Sequence, residues 1–532
     1  MAAQHDQLLD KFLEPLLLDT ETCHALTNAF YQNFTALAAE ESGQFLPTPI
    51  SDSILRPIAG AGRGRNLAID IGGTNLRVGF VELLGKQHEQ ENTNGAVANG
   101  TNGTNGNGAA SHSSDSSERI RRVLERSWPI EEHLKDDNAD GLFSWIGARI
   151  AEVVEDGCAE FSLSPDDVLS LGVTFSFPML QHSLSEAKLL SMGKGFTIAA
   201  NTDLGTCLEQ GYSRSKSDKL PQIKVTAIAN DSVATLVSFI YNFDGSHGQR
   251  ASMGLILGTG SNATIPVKLS LLHPSKWPHN ISVLDGESTS DIKIAVNTEW
   301  SINGTEAPMR NLGLITPWDD QLSAQNEKPG FQPLEYMTAG RYLGELGRIM
   351  LLDYMIGTLK MSPNALPVAL QQRYSLSTTF LSHFKPLEPA RLTELLEKQF
   401  PASTAPKTFA WTAHLAEALY RIAKAIELRA AGIIAAGIVA LQTLAGDLPA
   451  DASGLEACEA KELGVGYTGG CIVHFQDYLA DCQAFVDRLL ARRVQLESSP
   501  IKVVLTPCHD GGITGAGILV SAASSSKEAE MA

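Results

Sequence analysis

The stretch NLAIDIGGTNLRVGFVEL, residues 66–83, decides how this chain is read. Apolar residues alternate on both sides of Gly72-Gly73, so the pattern predicts strand, tight turn, strand. Paired glycines let a backbone turn sharply and approach a ligand, and the N–H groups they expose suit phosphate oxygens. Thr74 and Asn75 add neutral donors, Arg77 adds charge, and Asp70 at the strand end is placed to hold Mg²⁺ through water. A plain hairpin turn accounts for the same glycines, since Gly-Gly is common there. The segment is not a Walker loop, because no GxxxxGK[ST] occurs in the chain. Nor is it a dinucleotide fingerprint, because a strand and not a helix follows the glycines.

The same grammar returns at SMGLILGTGSNATIPV, residues 252–267, where Gly258-Thr259-Gly260-Ser261-Asn262 forms the turn. Two such turns after apolar strands are expected each to cradle part of a triphosphate from one side of a cleft. They also suggest a weak internal duplication.

IKVTAIAN (223–230) predicts a strand and SVATLVSFIY (232–241) a helix, with Asn230-Asp231-Ser232 at the junction. A carboxylate at that point can accept a hydroxyl proton, which phosphoryl transfer requires. Asp and Ser also favour helix starts, so from local sequence alone an N-cap is the plainer reading, and the two readings are compatible. Ser176-Phe177-Pro178 ends another predicted strand, VLSLGVTFSFP (168–178), and Gly193-Lys194-Gly195-Phe196 follows. Lys194 can meet a sugar hydroxyl or a phosphate, or be an ordinary solvated surface charge. Asn297-Thr298-Glu299-Trp300 and Leu334-Glu335-Tyr336-Met337 set carboxylates beside bulky apolar groups. Carboxylates with amides are tools for gripping vicinal hydroxyls; surface Glu, or Glu in a first helical turn, is the plainer reading.

The whole chain bounds these readings. Its 532 residues, 43% apolar, exceed one ordinary core, so at least two domains are expected. Lys and Arg number 41 against 60 Asp and Glu, a net charge of −19, which argues against an extended nucleic-acid surface. The seven cysteines are scattered without a CxxC pair, which fits reduced thiols and neither a disulfide scaffold nor a zinc site. MAAQHDQLLDKFLEPLLLD has charges and Pro15 where a signal peptide needs an apolar core. AAGIIAAGIVAL (430–441) is too short to span a bilayer and reads as a buried helix.

Helical periodicity runs through residues 5–40, followed by a Pro-containing connection. Residues 86–117, rich in Asn, Gly, Ser and Thr, predict a disordered insert in the first hairpin. Residues 333–355 and 412–444 predict long helices, and 501–523 a closing strand, turn and helix. The fold class is therefore α/β, with two related domains and a cleft between them. The boundaries read as an N-terminal helical segment 1–65 packed on the large lobe, a small lobe 66–224, a large lobe 225–509, and a C-terminal turn, helix and tail 510–532.

Taken in order, these motifs resemble the hexokinase family from about residue 10 to about 522. The first phosphate turn is similar to Asp70–Arg77, the sugar segment to Leu171–Pro178, the catalytic Asn-Asp to Asn230-Asp231, and the second phosphate turn to Gly258–Asn262. The two sugar-binding glutamates are similar to Glu299 and Glu335. The resemblance implies a two-lobed actin-like (ribonuclease H-like) ATPase fold that closes on sugar. It implies Asp231 as general base and Lys194 near the sugar and transferred phosphate. Ser176, Lys194, Asn230, Asp231, Asn262, Glu299 and Glu335 would bind sugar. Asp70, Gly72, Gly73, Thr74, Asn75, Arg77, Gly258, Thr259, Gly260, Gly469, Gly511 and Gly512 would bind ATP, with Mg²⁺ held indirectly by Asp70. It further implies a cytoplasmic monomer or homodimer whose partners are sugar and Mg·ATP, with no nucleic acid and no membrane.

Departures refine this. Met192-Gly193-Lys194 stands where ordinary members carry Trp-Thr-Lys, Gly466-Tyr467-Thr468-Gly469-Gly470 replaces Val-Asp-Gly-Ser, and Asp510-Gly511-Gly512-Ile513-Thr514-Gly515 alters the last glycine motif. These changes, with Arg341-Tyr342-Leu343 and Glu125-Arg126-Ser127-Trp128, resemble the fungal N-acetylglucosamine kinase branch. The expectation is thus an N-acetylglucosamine 6-kinase, set against a glucose or general hexose kinase and a non-catalytic sugar sensor.

Overall fold

The structure is a computed structural model that describes residues 2–55, 64–84, 119–131, 133–134, 139–190, 198–243, 248–402, 409–450, 460–494 and 499–530. The 86–117 insert and Lys194 lie outside the described residues. The N-terminal apolar spacing forms α1 (Ala2–Leu13) and α2 (Thr20–Ala39). Asp19 starts α2, its carboxylate accepting from the Thr22 N–H at 2.7 Å. The Pro-containing connection holds a buried strand, β1 (Leu46–Ser51), which pairs in parallel through Ile50 with Ser282. Pro47 and Pro49 disguise it in the sequence, since proline cannot donate to a ladder.

The chain continues through β2 (Gly64–Ile71), β3 (Asn75–Leu83), β4 (Ile120–Pro129), α3 (Ala139–Phe161) and β5 (Val168–Phe175). A small hairpin, β6 (Met179–Ser183) and β7 (Glu186–Leu189), precedes α4 (Leu204–Ser215), β8 (Gln222–Ala229) and α5 (Asp231–Asn242). Next come β9 (Gln249–Leu257), β10 (Ser261–Lys268), β11 (Asn280–Val283) and β12 (Lys293–Asn297). A helical stretch follows: α6 (Glu306–Asn311), α7 (Pro317–Ala324), α8 (Pro333–Thr338), α9 (Gly340–Asp353), α10 (Val368–Gln371), α11 (Thr378–His383), α12 (Pro389–Gln399) and α13 (Ala413–Leu444). The chain closes with β13 (Glu462–Thr468), α14 (Gly470–His474), α15 (Tyr478–Val494), β14 (Lys502–Pro507), α16 (Gly511–Ser525) and β15 (Lys527–Glu530).

The single helix expected over 333–355 is broken at Ala339, which is extended (φ −103°, ψ 150°). The cause is tertiary: the N–H groups of Gly340 and Arg341 turn to the carbonyls of Gly258 (2.8 Å) and Thr259 (3.1 Å). Among the described residues no helix is long and apolar enough to cross a membrane.

The chain divides into two compact units. The first comprises Met1–Pro47, Asp244–Trp277 and Val296–His509; the second comprises Thr48–Phe243, Pro278–Ala295 and Asp510–Ala532. The expected boundary at 224/225 and the separate 510–532 tail are therefore redrawn. Strand β8 pairs in parallel with β5, so α5 and its leading Asp231 stay with the second unit. Helix α16 belongs there too: Gly517 O accepts from Asn66 Nδ2 at 2.8 Å, and Thr514 Oγ1 bonds Ser238 Oγ at 2.8 Å.

The second unit is built on a five-stranded sheet ordered β4-β3-β2-β5-β8. Strand β2 is antiparallel to β3 and parallel to β5, with Asp70 opposite both Arg77 and Thr174. Its core gathers Leu67, Ile69, Val78, Ile146, Val173 and Tyr212, all buried. In the first unit β13 lies parallel to both β14 and β9, and β9 turns back antiparallel into β10. Helix α13 is buried along most of its length, as AAGIIAAGIVAL predicts. The one guanidinium that its middle buries, Arg429, pairs with Asp319 at 2.7 and 2.8 Å and bonds Leu314 O at 3.1 Å, which offsets its desolvation.

Candidate active site

In the second unit the glycine turn sits at the end of the central strand. Gly72 N donates to Asn75 O at 2.9 Å, closing the hairpin, and Thr74 O accepts from Ile130 N at 2.8 Å. Asp70 precedes the turn. Loss of hydration first, then the negative charge of Asp231, pushes its carboxyl up to about 7, against the opposing pull of Arg77. Ser176 N bonds Ile71 O at 3.0 Å, which brings the end of β5 beside the same turn.

Strand β8 delivers Asn230 and Asp231 to this end of the sheet. The cap of α5 is Asn230, whose Oδ1 accepts from Ser232 N at 3.0 Å and from Ser232 Oγ at 2.8 Å. Asp231 is the first helical residue, and its Oδ1 shares the Ser232 N–H at 2.8 Å. The chain's end completes the group. Thr174 Oγ1 donates to Gly512 O at 2.9 Å, and a Cβ at Gly512 would stand 2.7 Å from Asp70 Oδ2, so glycine is required there. Gly511 lies against Thr235 one helical turn past Asp231. The reading of the motifs left out Asp510 as a partner of Arg77. Its carboxylate bridges Arg77 Nη1 (2.9 Å) and Arg122 Nη2 (3.0 Å), from a left-handed backbone at φ 57°. Nothing in local sequence links positions so far apart.

The first unit holds the other turn. Gly258 N bonds Gly260 O at 3.0 Å, and Leu257 pairs with Ser261 across the hairpin. Both glutamates are buried, which removes the surface reading: Glu299 is 8% exposed and Glu335 7%. Glu335 does lie in the first turn of α8, yet its Oε2 accepts from Ser261 N at 3.0 Å. A Cβ at Gly260 would stand 2.7 Å from that same oxygen. Glu299 Oε1 accepts from Asn297 Nδ2 at 2.8 Å and Asn262 Nδ2 at 3.3 Å, and Asn262 Nδ2 also bonds Asn297 Oδ1 at 2.9 Å. Two carboxylates and two amides thus converge beside Gly258–Asn262. Asn297, quoted as a neighbour of Glu299, proves to be the member that links it to Asn262.

Beside this turn a cavity of about 850 Å³ is lined by Thr259, Arg341, Thr378, Lys385 and His474, with Gly258, Gly470 and other residues. Among the described residues none that lines it is acidic, while Arg341 and Lys385 are basic, so the cavity is chemically suited to an anion. Gly469, at φ 126°, brings the end of β13 against Gly258. His383, Lys385 and His474 went unread, because single basic residues in unrelated elements carry no spacing signal, and Arg341 was read only as part of a family motif.

Two family profiles, both described as Hexokinase, match residues 8–241 and 252–522. Hexokinase-7 of Oryza sativa subsp. japonica is 26% identical over 488 residues, covering 91% of this chain and 90% of that protein. Hexokinase-1 of Schizosaccharomyces pombe is 26% identical over 524 residues, covering 96% and 90%. Among solved structures, a hexokinase from Schistosoma mansoni complexed with glucose shares the two-lobed hexokinase fold, with a TM-score of 0.71, 21% identity, and coverage of 98% and 99%. With both profiles matched in order along almost the whole sequence, this chain belongs to the hexokinase family and is an ATP-dependent sugar phosphotransferase.

Proposed function

We propose that this chain transfers the γ-phosphoryl group of Mg·ATP to the 6-hydroxyl of glucose-type hexoses, with Asp231 as general base. The observation that carries the reading is the pairing of Asp231 with Asp70 at one end of the five-stranded sheet, next to a glycine turn and to Arg77. Asn230 performs the cap, so a helix start does not by itself account for Asp231.

In the proposed reaction the hydroxyls of the sugar meet carboxylates and amides. Glu299, Glu335 and Asn262 accept from and donate to its hydroxyls, as their amide and carboxylate chemistry suits. Asp231 takes the proton of the 6-hydroxyl as that oxygen bonds to the γ-phosphorus, and the bond to the β-phosphate oxygen breaks to release ADP. The backbone N–H groups of the two glycine turns and the Arg77 guanidinium hold the phosphates. The cavity beside Gly258 takes the adenosine end. Gly511 and Gly512, at the start of α16, add to the ATP site, and Gly512 leaves room for the Asp70 carboxylate.

The residues present fit a magnesium ion. Asp70 is a hard oxygen donor, and burial, with Asp231 beside it, raises the cost of its charge, which a bound cation would offset. Bound there through water, Mg²⁺ would supply charge neutralisation on the phosphates. Lys194, outside the described residues, keeps its proposed place near the transferred phosphate. A cytoplasmic location goes with these substrates.

The N-acetylglucosamine expectation came from a resemblance of motifs, and the room it assigned to the acetamido group lies at Gly193, outside the described residues; the relatives named above are hexokinases. The general hexose reading is accordingly preferred. A coupled ADP-release assay with glucose, mannose, fructose and N-acetylglucosamine tests it. Turnover is expected with the hexoses; turnover confined to the acetamido sugar would reverse the preference, and none with any sugar would remove the reading.

A further inference from the structure

The carboxylate of Glu299 is held from the front by Asn297 and Asn262, but its backbone is held from behind by residues far away in sequence. Glu299 is left-handed, at φ 45°, a conformation costly for a side chain with a Cβ. It persists only if its surroundings fix it. Gln44, 2% exposed, donates from Nε2 to Glu299 O at 2.9 Å. Next to it Phe45 N donates to Thr298 O at 3.0 Å. The Gln44 amide occupies space that only glycine leaves open: its Oε1 would lie 1.9 Å from a Cβ at Gly304. Asn33 Nδ2 in turn fixes Gly304 O at 3.0 Å.

The loop carrying Gln44 is tied in its turn by one ammonium. Lys276 Nζ donates to Leu37 O (2.8 Å), Gln44 O (2.9 Å) and Ser42 Oγ (3.1 Å). These are the end of α2 and the two sides of the 42–44 loop. All three donors of the lysine are used, and no carboxylate is among their partners. This is more hydrogen bonding than a surface lysine needs, and none of it serves α2 packing through apolar area.

We propose that Gln44 and Lys276 are positioning residues for Glu299, fixing its backbone so that its carboxylate meets the sugar. The inference rests on Glu299 being a sugar ligand. Lys276 acts on Gln44, Gln44 acts on Glu299, and neither touches substrate. Burial lowers the Lys276 pKa to about 8, with Glu40 opposing; His273, nearby, bonds Ser275. A lysine with a depressed pKa sheds its proton as pH climbs through about 8, so the 42–44 loop loses a donor and sugar affinity falls on the alkaline side.

Gln44→Met keeps the volume and removes the donor. It is expected to raise the KM for glucose about tenfold, the factor worth 1.4 kcal/mol, while the KM for Mg·ATP stays within about twofold. On a Glu299→Gln background the same change should add less than about twofold, because the two act as one. Equal rises in both KM values, or an unchanged glucose KM in Gln44→Met beside a raised one in Glu299→Gln, would overturn the inference and leave the sugar reading standing. A wild-type glucose KM in Glu299→Gln would overturn the sugar reading itself. Lys276→Arg, charged throughout the range, supplies a second test. The wild-type glucose KM should climb above about pH 8 and that of Lys276→Arg should not; parallel climbs would remove Lys276 from the assignment.

Discussion

In the second unit the hairpin between β2 and β3 is surrounded by charge. Asp70 ends one strand, Asp231 stands close by, and Arg77 shares Asp510 with Arg122. In the first unit the hairpin between β9 and β10 is surrounded by amides and buried carboxylates that accept from N–H groups: Glu335 from Ser261, and Glu299 from Asn297 and Asn262. The two turns start from the same strand–glycine–strand grammar. What separates them is the element each one packs against. In the second unit that is the N-terminus of α16, bringing Gly512 and Asp510; in the first it is α8 and the segment after β12. To its backbone N–H groups the β2–β3 turn adds charge suited to phosphate and cation, and the β9–β10 turn adds carboxylates and amides suited to neutral hydroxyls.

The sharpest way to break this division is Asp231→Ala. It should lower kcat roughly 10²–10⁴-fold in an ADP-release assay, the usual range for a lost general base. The thermal midpoint should hardly move, because Asn230 retains the cap. Turnover near wild type would refute the assignment. A matched pair then sharpens the contrast. Gly260→Ala forces Glu335 aside and should raise the KM for glucose, whereas Gly512→Ala forces Asp70 aside and should raise the KM for Mg·ATP. Each effect is expected between about 10- and 100-fold, as for a catalytic group displaced by an ångström. Steady-state kinetics with both substrates varied decides it, and identical profiles for the two variants would erase the distinction.

The smallest effect concerns stability. Asp70 has a folded pKa of about 7, above the ~3.9 of an unfolded carboxyl. The unfolded chain therefore releases this proton first, between about pH 4 and 7, while the folded chain keeps it. Stability owed to this group is greatest at acid pH, declines across that window and levels off above it. Melting curves from pH 4 to 8 on the protein without nucleotide should show Asp70→Asn gaining on wild type as pH rises. A constant difference would contradict the raised pKa of Asp70.

Much of this was visible along the chain, for reasons of local chemistry. Both hairpins announce themselves, because a strand needs alternating or continuous apolar residues and a sharp turn needs glycine. Helix α5 shows itself through Asn230 and the apolar run behind it, and α13 through its length. The breaks came where a tertiary partner outbid local preference. Ala339 leaves the helix because two carbonyls of the other strand turn capture the N–H groups after it. Strand β1 is hidden by prolines, and α15 passed unread between two glycine motifs. The boundary near 225 moved because pairing of β8 with β5 is a long-range fact that periodicity does not carry.

The sequence by itself determined the inventory: an α/β chain with two glycine turns, a carboxylate at a strand-to-helix junction, and Asn and Glu residues beside bulky apolar ones. Those follow from short-range rules, since turning, capping and alternation involve residues a few positions apart. Only the tertiary structure decided which of these meet: Asp70 with Gly512, Arg77 with Asp510, Glu335 with Ser261, Glu299 with Gln44. Each of those pairs is separated by tens to hundreds of positions, and packing and buried hydrogen bonds, not spacing, bring their atoms within reach.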